Sequence, residues 1–283
     1  MLKVNIFDNT CAHHVRDDGY FTSTDGRKPQ EISFIHKQQE FDGITIFTDN
    51  FILNTPVVTS VKSNIKIAWC LESPAVMPHV HNNIHKVADN FDYVFTYRTD
   101  LIEQDPKKFI PNTPGGAYLK DEFFGLYIGS KDKFCSNIFS AKRDLEGHKL
   151  RHLINRSIPQ VDGFGSGTHP GAPFLRDKKP ALAPYMFSFI IENIKYTHYF
   201  TEKLIDCLLA GCVPIYWGAP NIGDYFNIDG FIIFNSFDEL KDKKITKQDY
   251  LDRSLAIAEN YETALLYKSS DDVLARKIQR FCK

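Results

Sequence analysis

The sequence lacks several features that would assign it quickly to a class of protein. Its 283 residues carry a formal net charge of -1, so nothing predicts nucleic acid or an anionic membrane as the main partner. No apolar run approaches the length that spans a bilayer, and the opening MLKVNIFDNT is too quickly polar for a signal peptide. We therefore expect a cytoplasmic protein without a transmembrane segment.

Paired cysteine motifs are also missing. The six cysteines are scattered, without a CxxC pair: Cys11, Cys70, Cys135, Cys207, Cys212 and Cys282. Several lie in apolar segments, which predicts buried, reduced thiols rather than a disulfide framework. Repeats and low-complexity tracts are absent as well, so the chain is expected to fold into ordinary globular domains.

What the sequence does contain is an alternation of strand-like and helix-like segments. With 43% hydrophobic residues, the chain is long enough for two domains of ordinary size. In the first part, the strand-like runs are Leu2–Asp8, Ile44–Thr48, Ile65–Leu71 and Tyr93–Tyr97, and the helix-like stretches lie around Glu31–Phe41 and His81–Asn90. This alternation predicts an α/β domain with a parallel sheet covered by helices.

A second α/β unit follows a turn-rich segment. Its predicted elements are strand Lys133–Ser140, helix Glu146–Arg156, a strand around Val161, strand Met186–Ile191, helix Glu202–Ala210 and strand Val213–Trp217, with residues 247–283 mainly helical. We place the connection near residues 126–132, which predicts domains 1–129 and 130–283, the last helix being free to pack back on the first domain. Ligands of such sheets gather at the carboxyl ends of the strands, so two domains imply a cleft lined by these ends.

The segment YFTEKLIDCLLAGCVPIYWG, residues 199–218, places a lysine in the first turn of an apolar helix. Thr201 is a good N-cap and Gly211 a good C-terminal stop, so Lys203 lies at the positive end of the helix dipole, where a cation is mildly unfavourable. A helix N-terminus with a lysine is a good receptor for phosphate oxygens. The alternative is that Lys203 is solvated and that Glu202 complements the dipole.

The longer string ENIKYTHYFTEKLIDCLLAGCVPIYWG resembles the most characteristic motif of the family 10 glycosyltransferases, the α-1,3/4-fucosyltransferases. KFCSNIFSAKR (133–143) and VDGFGSG (161–167) are similar to segments of that family's donor domain, and AWCLESPAVMP (68–78) and FDYVFTY (91–97) to segments of its acceptor domain. The resemblance implies a GT-B fold, with two Rossmann-like domains facing a central cleft. It also implies inverting transfer of fucose from GDP-fucose to a glycan hydroxyl, with no metal or other cofactor.

The resemblance also implies roles for residues in these motifs. Lys203 would hold the diphosphate, and Glu202 would contact sugar or ribose hydroxyls and stabilise the oxocarbenium-like sugar. Further donor contacts would come from Asn193, Tyr199, Thr201 and Gly165. Gly165 lies in GFGSG, which is not a GxGxxG fingerprint and predicts either a close approach to the nucleotide or only a turn.

One position departs from the family pattern. Where many members have a phosphate-binding arginine, this chain has His148. Arg151 lies three residues further along the same predicted helix and could substitute for that arginine. The alternative is that His148 and Arg151 are both solvated helix residues.

Glu72 is the carboxylate that the resemblance places as general base. It is the only carboxylate in IKIAWCLESPAV, and the alternative is a turn or helix-cap role. In the following PHVHNNIH, His79 and His81 are predicted to contact the acceptor. An i, i+4 pair, His81 and His85, would suit zinc, but no cysteine or carboxylate completes a ligand set.

Other functions remain open from the sequence. The chain could use another nucleotide sugar, bind a sugar nucleotide without transferring it, or be a non-enzymatic scaffold. A basic stripe with apolar neighbours near the end of the chain allows a weak peripheral membrane contact, although an ordinary packed terminal helix is the simpler reading. The stripe consists of Arg276, Lys277, Arg280 and Lys283, with Leu274, Ile278 and Phe281.

Overall fold

The computed structural model describes residues 1–8, 27–112, 115–125, 130–172 and 174–282. Cys11, Lys283 and most of the predicted domain connection, at 126–129, lie outside these ranges. The chain forms two compact units. Unit 1 comprises Met1–Gly116, Thr197–Tyr199 and Ser269–Lys283, and unit 2 comprises Ala117–Tyr196 and Phe200–Lys268.

Unit 1 is built on a six-stranded parallel sheet in the order β2-β1-β3-β4-β5-β6. The strands are β1 (Leu2–Phe7), β2 (Ile32–His36), β3 (Glu40–Thr48), β4 (Lys62–Trp69), β5 (Tyr93–Thr96) and β6 (Phe109–Pro111), and the helices between them are α1 (Thr55–Ser60), α2 (Pro78–Val87) and α3 (Thr99–Gln104). Successive residues point to opposite faces: Phe47 lies in one apolar cluster and Ile46 in another. The sheet is therefore buried on both faces.

Unit 2 is a five-stranded parallel sheet in the order β11-β10-β9-β7-β8. Its strands are β7 (Lys133–Ile138), β8 (Val161–Phe164), β9 (Tyr185–Ile191), β10 (Val213–Trp217) and β11 (Ile232–Ile233). Its helices are α4 (Glu146–Ser157), α5 (Lys179–Leu182), α6 (Glu202–Leu209), α7 (Phe237–Asp242), α8 (Lys247–Leu251) and α9 (Ser254–Leu265).

The two sheets share one topology. Counted within its own unit, each places its second strand beside the first on one side and its third, fourth and fifth strands on the other. Strand order reverses beside the first strand, between β1 and β3 in unit 1 and between β7 and β9 in unit 2. In open α/β sheets the carboxyl ends of the strands at this point form the usual ligand crevice. Each unit thus has one preferred place for a site.

The terminal helix α10 (Ser270–Phe281) packs within unit 1. Leu274 and Ile278 are buried in the same apolar cluster as Ile6, and Arg276 pairs with Glu31 at 2.6 Å. The stripe near the end of the chain is therefore a packed helix, and these two apolar residues are not available to a membrane. Within the described ranges, no helix is both long enough and apolar enough to span a bilayer.

Most predicted elements are confirmed to within a few residues, and Val213–Trp217 is reproduced at both ends. The helix predicted around Glu31–Phe41 is wrong, because this segment forms β2 and the start of β3. Ile32 and Phe34 alternate with less buried neighbours, and β2 gains hydrogen bonds from β1, which outweigh the local helical pattern.

The unit boundary lies earlier in the chain than the predicted one at 129/130. Ala117 and Leu119 are fully buried in one apolar cluster with Leu204 of α6, so the segment before β7 already belongs to unit 2. The described cysteines are free. Four are buried and Cys282 is partly exposed, as the scattered pattern predicts.

Candidate functional site

The N-terminus of α6 is fixed by its own sequence. Thr201 has an extended backbone, and its hydroxyl accepts a hydrogen bond from the Lys203 N–H at 3.4 Å, while Gly211 takes the left-handed conformation (φ +68°) just past the C-terminus. Both helix-end predictions are confirmed. The first turn therefore holds Glu202 and Lys203 in a defined place next to the carboxyl end of β9.

A buried carboxylate faces this turn. Glu192, directly after β9, is 0% exposed, and it accepts hydrogen bonds from the Thr201 N–H and hydroxyl, both at 2.8 Å. The ammonium of Lys203 lies 3.4 Å from the same carboxylate and donates to the Thr201 hydroxyl at 2.8 Å. In the structure, the lysine in the first turn is thus paired with the protein's own carboxylate.

The sequence analysis assigned no role to Glu192. The available signal was a glutamate that closes the apolar run YMFSFII, because a charge next to a buried strand must be paired when it is itself buried.

Glu202 lies between two lysines. Its Oε1 is 3.6 Å from Lys203 Nζ and 3.8 Å from Lys178 Nζ, and its side chain is 26% exposed. Burial raises the pKa of Glu202, but the charges of Lys203 and Lys178 outweigh burial and bring the pKa down to about 2. Glu202 is therefore a carboxylate throughout the neutral range.

One turn further along α6, Asp206 ties this helix to a preceding segment. Its buried carboxylate accepts the N–H groups of Tyr118 at 2.8 Å and Leu119 at 2.7 Å and pairs with Lys178 at 2.5 Å. Burial raises the pKa of Asp206. For Lys178, burial favours the neutral amine, but the Asp206 and Glu202 carboxylates prevail and raise its pKa. The sequence signal for Asp206 was an aspartate inside an apolar helix.

Arg151 and His148 are both buried, so neither is the solvated helix residue of the sequence alternative. The guanidinium of Arg151 donates to the carbonyl of Ile191, at 3.0 and 2.7 Å, and to Oδ1 of Asn193 at 2.9 Å. His148 Nδ1 lies 2.9 Å from the carboxylate of Asp144. Burial, followed by the charge of Arg151, lowers the pKa of His148. Arg151 thus connects α4 to the end of β9, whereas His148 caps its own helix.

Gly165 and Tyr199, two other residues predicted to contact the donor, pack against other parts of the protein. A side chain at Gly165 (φ +94°) would put its Cβ 2.7 Å from the carbonyl oxygen of Phe139, so packing against the end of β7 accounts for this glycine. Tyr199 is grouped with unit 1, and its buried ring packs edge-on against Tyr97 at 5.5 Å.

In unit 1, Glu72 follows the end of β4. Its N–H donates to Oδ1 of Asp49 at 3.2 Å, and its carbonyl lies 2.9 Å from Nε2 of His81. His79 is exposed, with Nε2 2.6 Å from Oδ1 of Asn50, while His81 is only 1% exposed. The structure thus brings His81 to the main chain of Glu72 and leaves His79 at the surface. Within the described ranges, no three or more histidine, cysteine or acidic side chains are grouped to hold a metal ion.

Asp49 is the carboxylate of this region that sequence reasoning missed. It directly follows β3, is 0% exposed and has a left-handed backbone (φ +40°), which is uncommon outside glycine. Burial, followed by the charges of Glu72 and Asp8, raises its pKa to about 7, although the N–H groups of Glu72 and Leu71 act in the opposite direction. The sequence signal was an aspartate directly after the apolar run ITIFT at the end of β3, whereas Glu72 follows β4.

Comparison with known proteins adds a family relation. Residues 130–262 match the model of the glycosyltransferase family 10 (fucosyltransferase) C-terminal region. The chain is 36% identical to the alpha-(1,3)-fucosyltransferase FucT of Helicobacter pylori over 89 residues, which cover 30% of this chain and 19% of that protein. It is 28% identical to 4-galactosyl-N-acetylglucosaminide 3-alpha-L-fucosyltransferase 9 of Mus musculus over 178 residues, 60% of this chain and 45% of that one. The chain thus spans less than half the length of either relative.

The fold has a counterpart among solved structures. A crystal structure of an alpha1,3-fucosyltransferase with GDP-fucose superposes with a TM-score of 0.56 at 19% identity, covering 99% of this chain and 88% of that chain. This likeness concerns the fold, and it confirms the predicted α/β architecture of GT-B type with two parallel sheets.

Proposed function

We propose that the protein transfers fucose from GDP-fucose to a hydroxyl group of a glycan acceptor, because residues 130–262 match the model of the glycosyltransferase family 10 C-terminal region. The observation that carries the proposal is the charge arrangement at the N-terminus of α6. There a capped helix end, the Lys203 ammonium and the Glu202 carboxylate lie together inside the segment that matches the family.

The donor is proposed to bind at this helix end. Backbone N–H groups of the first turn and Lys203 offer hydrogen bonds and positive charge to a diphosphate. Glu202, ionised because its pKa is about 2, offers negative charge to a sugar that becomes oxocarbenium-like as its bond to phosphate breaks. Arg151 holds Asn193 and the end of β9 in place beside α6, so we assign it the support of the donor pocket.

The transfer is proposed to invert the anomeric carbon without a metal. Glu72 takes the proton of the acceptor hydroxyl while that oxygen bonds to the anomeric carbon. The bond from this carbon to the phosphate oxygen breaks on the opposite side, and GDP leaves with the electron pair. Positive charge from Lys203 and the helix N-terminus stabilises the leaving diphosphate, which is the task that a metal ion performs in other phosphate-transfer sites.

A binding and transfer experiment tests this function. We expect calorimetry to detect GDP and GDP-fucose but neither UDP nor CMP, nor their sugars. Transfer to a 4-galactosyl-N-acetylglucosaminide, the acceptor named for the mouse relative, is the first acceptor assay, run with and without EDTA. Proton NMR of the product reports the anomer.

Each alternative leaves a distinct result. Binding of another nucleotide would assign a different donor, and GDP-fucose binding without transfer to any acceptor in a glycan panel would indicate a sugar-nucleotide-binding protein. Loss of transfer in EDTA, restored by a divalent cation, would contradict the metal-free mechanism. Cytoplasmic location stays a prediction of the sequence.

A further inference from the structure

The main chain of Glu72 is held by two ionisable side chains from other elements. β4 ends at Trp69, so Glu72 lies beyond the residues that the strand pairs with β3 and β5. Its N–H donates to the carboxylate of Asp49, which follows β3, and its carbonyl accepts from His81 of α2. Both main-chain polar groups of Glu72, its N–H and its carbonyl, are thus bound by buried side chains.

The hydrogen-bond roles on the His81 side follow from chemistry. A carbonyl oxygen only accepts, so Nε2 of His81 carries the hydrogen that it donates. Nδ1 is buried and has no hydrogen-bond partner among the described residues, so a second proton there would be buried without an acceptor. Burial also lowers the pKa of His81, which keeps the ring neutral and its donor fixed at Nε2.

The Asp49 side combines strain with charge. Asp49 has a left-handed backbone (φ +40°), which in a non-glycine residue persists only where the surroundings enforce it. Asp49 also lies at the strand-order reversal of unit 1, where the Thr48 hydroxyl donates at 2.5 Å to the carboxylate of Asp8, the residue that follows β1. A strained, buried carboxylate at the usual ligand crevice is a costly way to hold a loop, which points to a role in positioning.

We propose that Asp49 and His81 are positioning residues that fix the main chain of Glu72 and thereby aim its carboxylate at the acceptor hydroxyl. This inference rests on the proposed function, because it assumes that Glu72 is the general base. The titratable and charged groups that face Asp49 and His81 are Asp8, Cys70, Glu72, His79, Tyr97 and Arg98.

Two isosteric changes test the two contacts through transfer from GDP-fucose to a 4-galactosyl-N-acetylglucosaminide. Asp49→Asn keeps an acceptor oxygen but removes the charge, and His81→Phe keeps the ring beside Tyr97 but removes the donor. We expect each to lower kcat by about tenfold, the value of one lost hydrogen bond, with the KM for GDP-fucose unchanged. His81→Gln, which restores a donor, should recover most of the rate. Asp42→Asn on β3 and His85→Gln on α2, both exposed, are the matched controls.

The pH profile separates positioning from a merely structural role. In the wild type, ionisation of Asp49 near pH 7 strengthens the hydrogen bond that it accepts from the Glu72 N–H. We therefore expect kcat to rise through this pH range, and Asp49→Asn should lose that rise. Unchanged kcat in both variants, or a loss expressed only in the KM for the donor, would overturn the inference.

We call the two contacts that Asp49 and His81 make to the main chain of Glu72 the clamp. The clamp can be tested separately from the proposed function, because Glu72→Gln tests the general base alone. Normal transfer by Glu72→Gln would end both ideas, whereas its inactivity beside normal Asp49→Asn and His81→Phe proteins would end only the clamp. Hydrogen exchange gives a reading independent of activity: the Glu72 amide should exchange faster in Asp49→Ala than in the wild type. An unchanged amide would contradict the clamp.

Discussion

The reversal points of the two sheets have the same topology and opposite electrostatics. In unit 1, the carboxyl ends of β1, β3 and β4 lead to Asp8, Asp49 and Glu72, and the pKa of Asp49 is raised to about 7. In unit 2, the acids around α6 are paired with lysines, and the pKa of Glu202 is lowered to about 2. One arrangement suits a proton acceptor and the other suits an anionic leaving group. Under the proposed function, the same strand order would serve two different chemical tasks.

The largest expected effect concerns Glu72, in the group of acidic residues of unit 1. Glu72→Gln keeps the shape of the side chain and removes the proton acceptor, so transfer should fall by roughly two to four decades while GDP-fucose affinity stays constant. Steady-state kinetics and calorimetry measure the two quantities, with exposed Glu103→Gln as the control. Near-normal transfer by a folded Glu72→Gln protein would remove the base from unit 1.

The second effect is on the free energy of unfolding, which burial of the Asp49 carboxyl should lower at neutral pH. Below pH 3.8, its ordinary pKa, Asp49 is neutral in the folded and unfolded states; as pH rises to about 7 only the unfolded state ionises, so stability falls. Asp49→Asn should therefore raise the free energy of unfolding at pH 8 by up to about 4 kcal/mol and change it little below pH 4. Urea denaturation at both pH values measures this. Equal destabilisation at both would mean that Asp49 is an ordinary structural acceptor.

Donor affinity tests the cationic side. Lys203→Gln retains a donor for Glu192 and Thr201 but removes the charge, so a charge-assisted phosphate contact worth about 1.5–3 kcal/mol should be lost. GDP affinity should fall by roughly one to two decades in calorimetry. Exposed Lys247→Gln is the matched control. Unchanged affinity would place the diphosphate away from this helix end.

The smallest expected effect concerns Glu202, whose ionised carboxylate should stabilise the folded protein, whereas that of Asp49 should destabilise it. Glu202 has a lowered pKa, so its contribution to stability is present above its ordinary value of 4.5 and is lost as pH falls through about 2. After allowance for its partial exposure, Glu202→Gln should destabilise the protein by about 1–3 kcal/mol at pH 7, with the difference fading towards pH 2. Denaturation curves across that range would show the trend. A stabilised variant would remove the contrast between the two units.

The sequence by itself determined the local elements and the position of the helix end in unit 2. Thr201, the apolar spacing of α6 and Gly211 define that helix through contacts within a few residues, and the short apolar run Val213–Trp217 is typical of a buried strand. The segment around Glu31–Phe41 did not follow its local pattern, because a strand is completed by a partner distant in the chain.

Only the tertiary structure decided which charges meet. A loop separates Glu192 from Lys203 in the chain. Lys178 and Asp206 are separated by α5, β9 and the first turn of α6. Asp49 and Glu72 are separated by α1 and β4. Each member of these pairs has an ordinary solvated alternative, so local composition does not select the pairing. Burial selects it: once the parallel strands bring their carboxyl ends to one edge, a buried charge must find a partner or shift its pKa. At α6 of unit 2, Glu192, Glu202 and Asp206 all lie beside lysines, whereas at Asp49 of unit 1 burial and neighbouring acids raise the pKa to about 7.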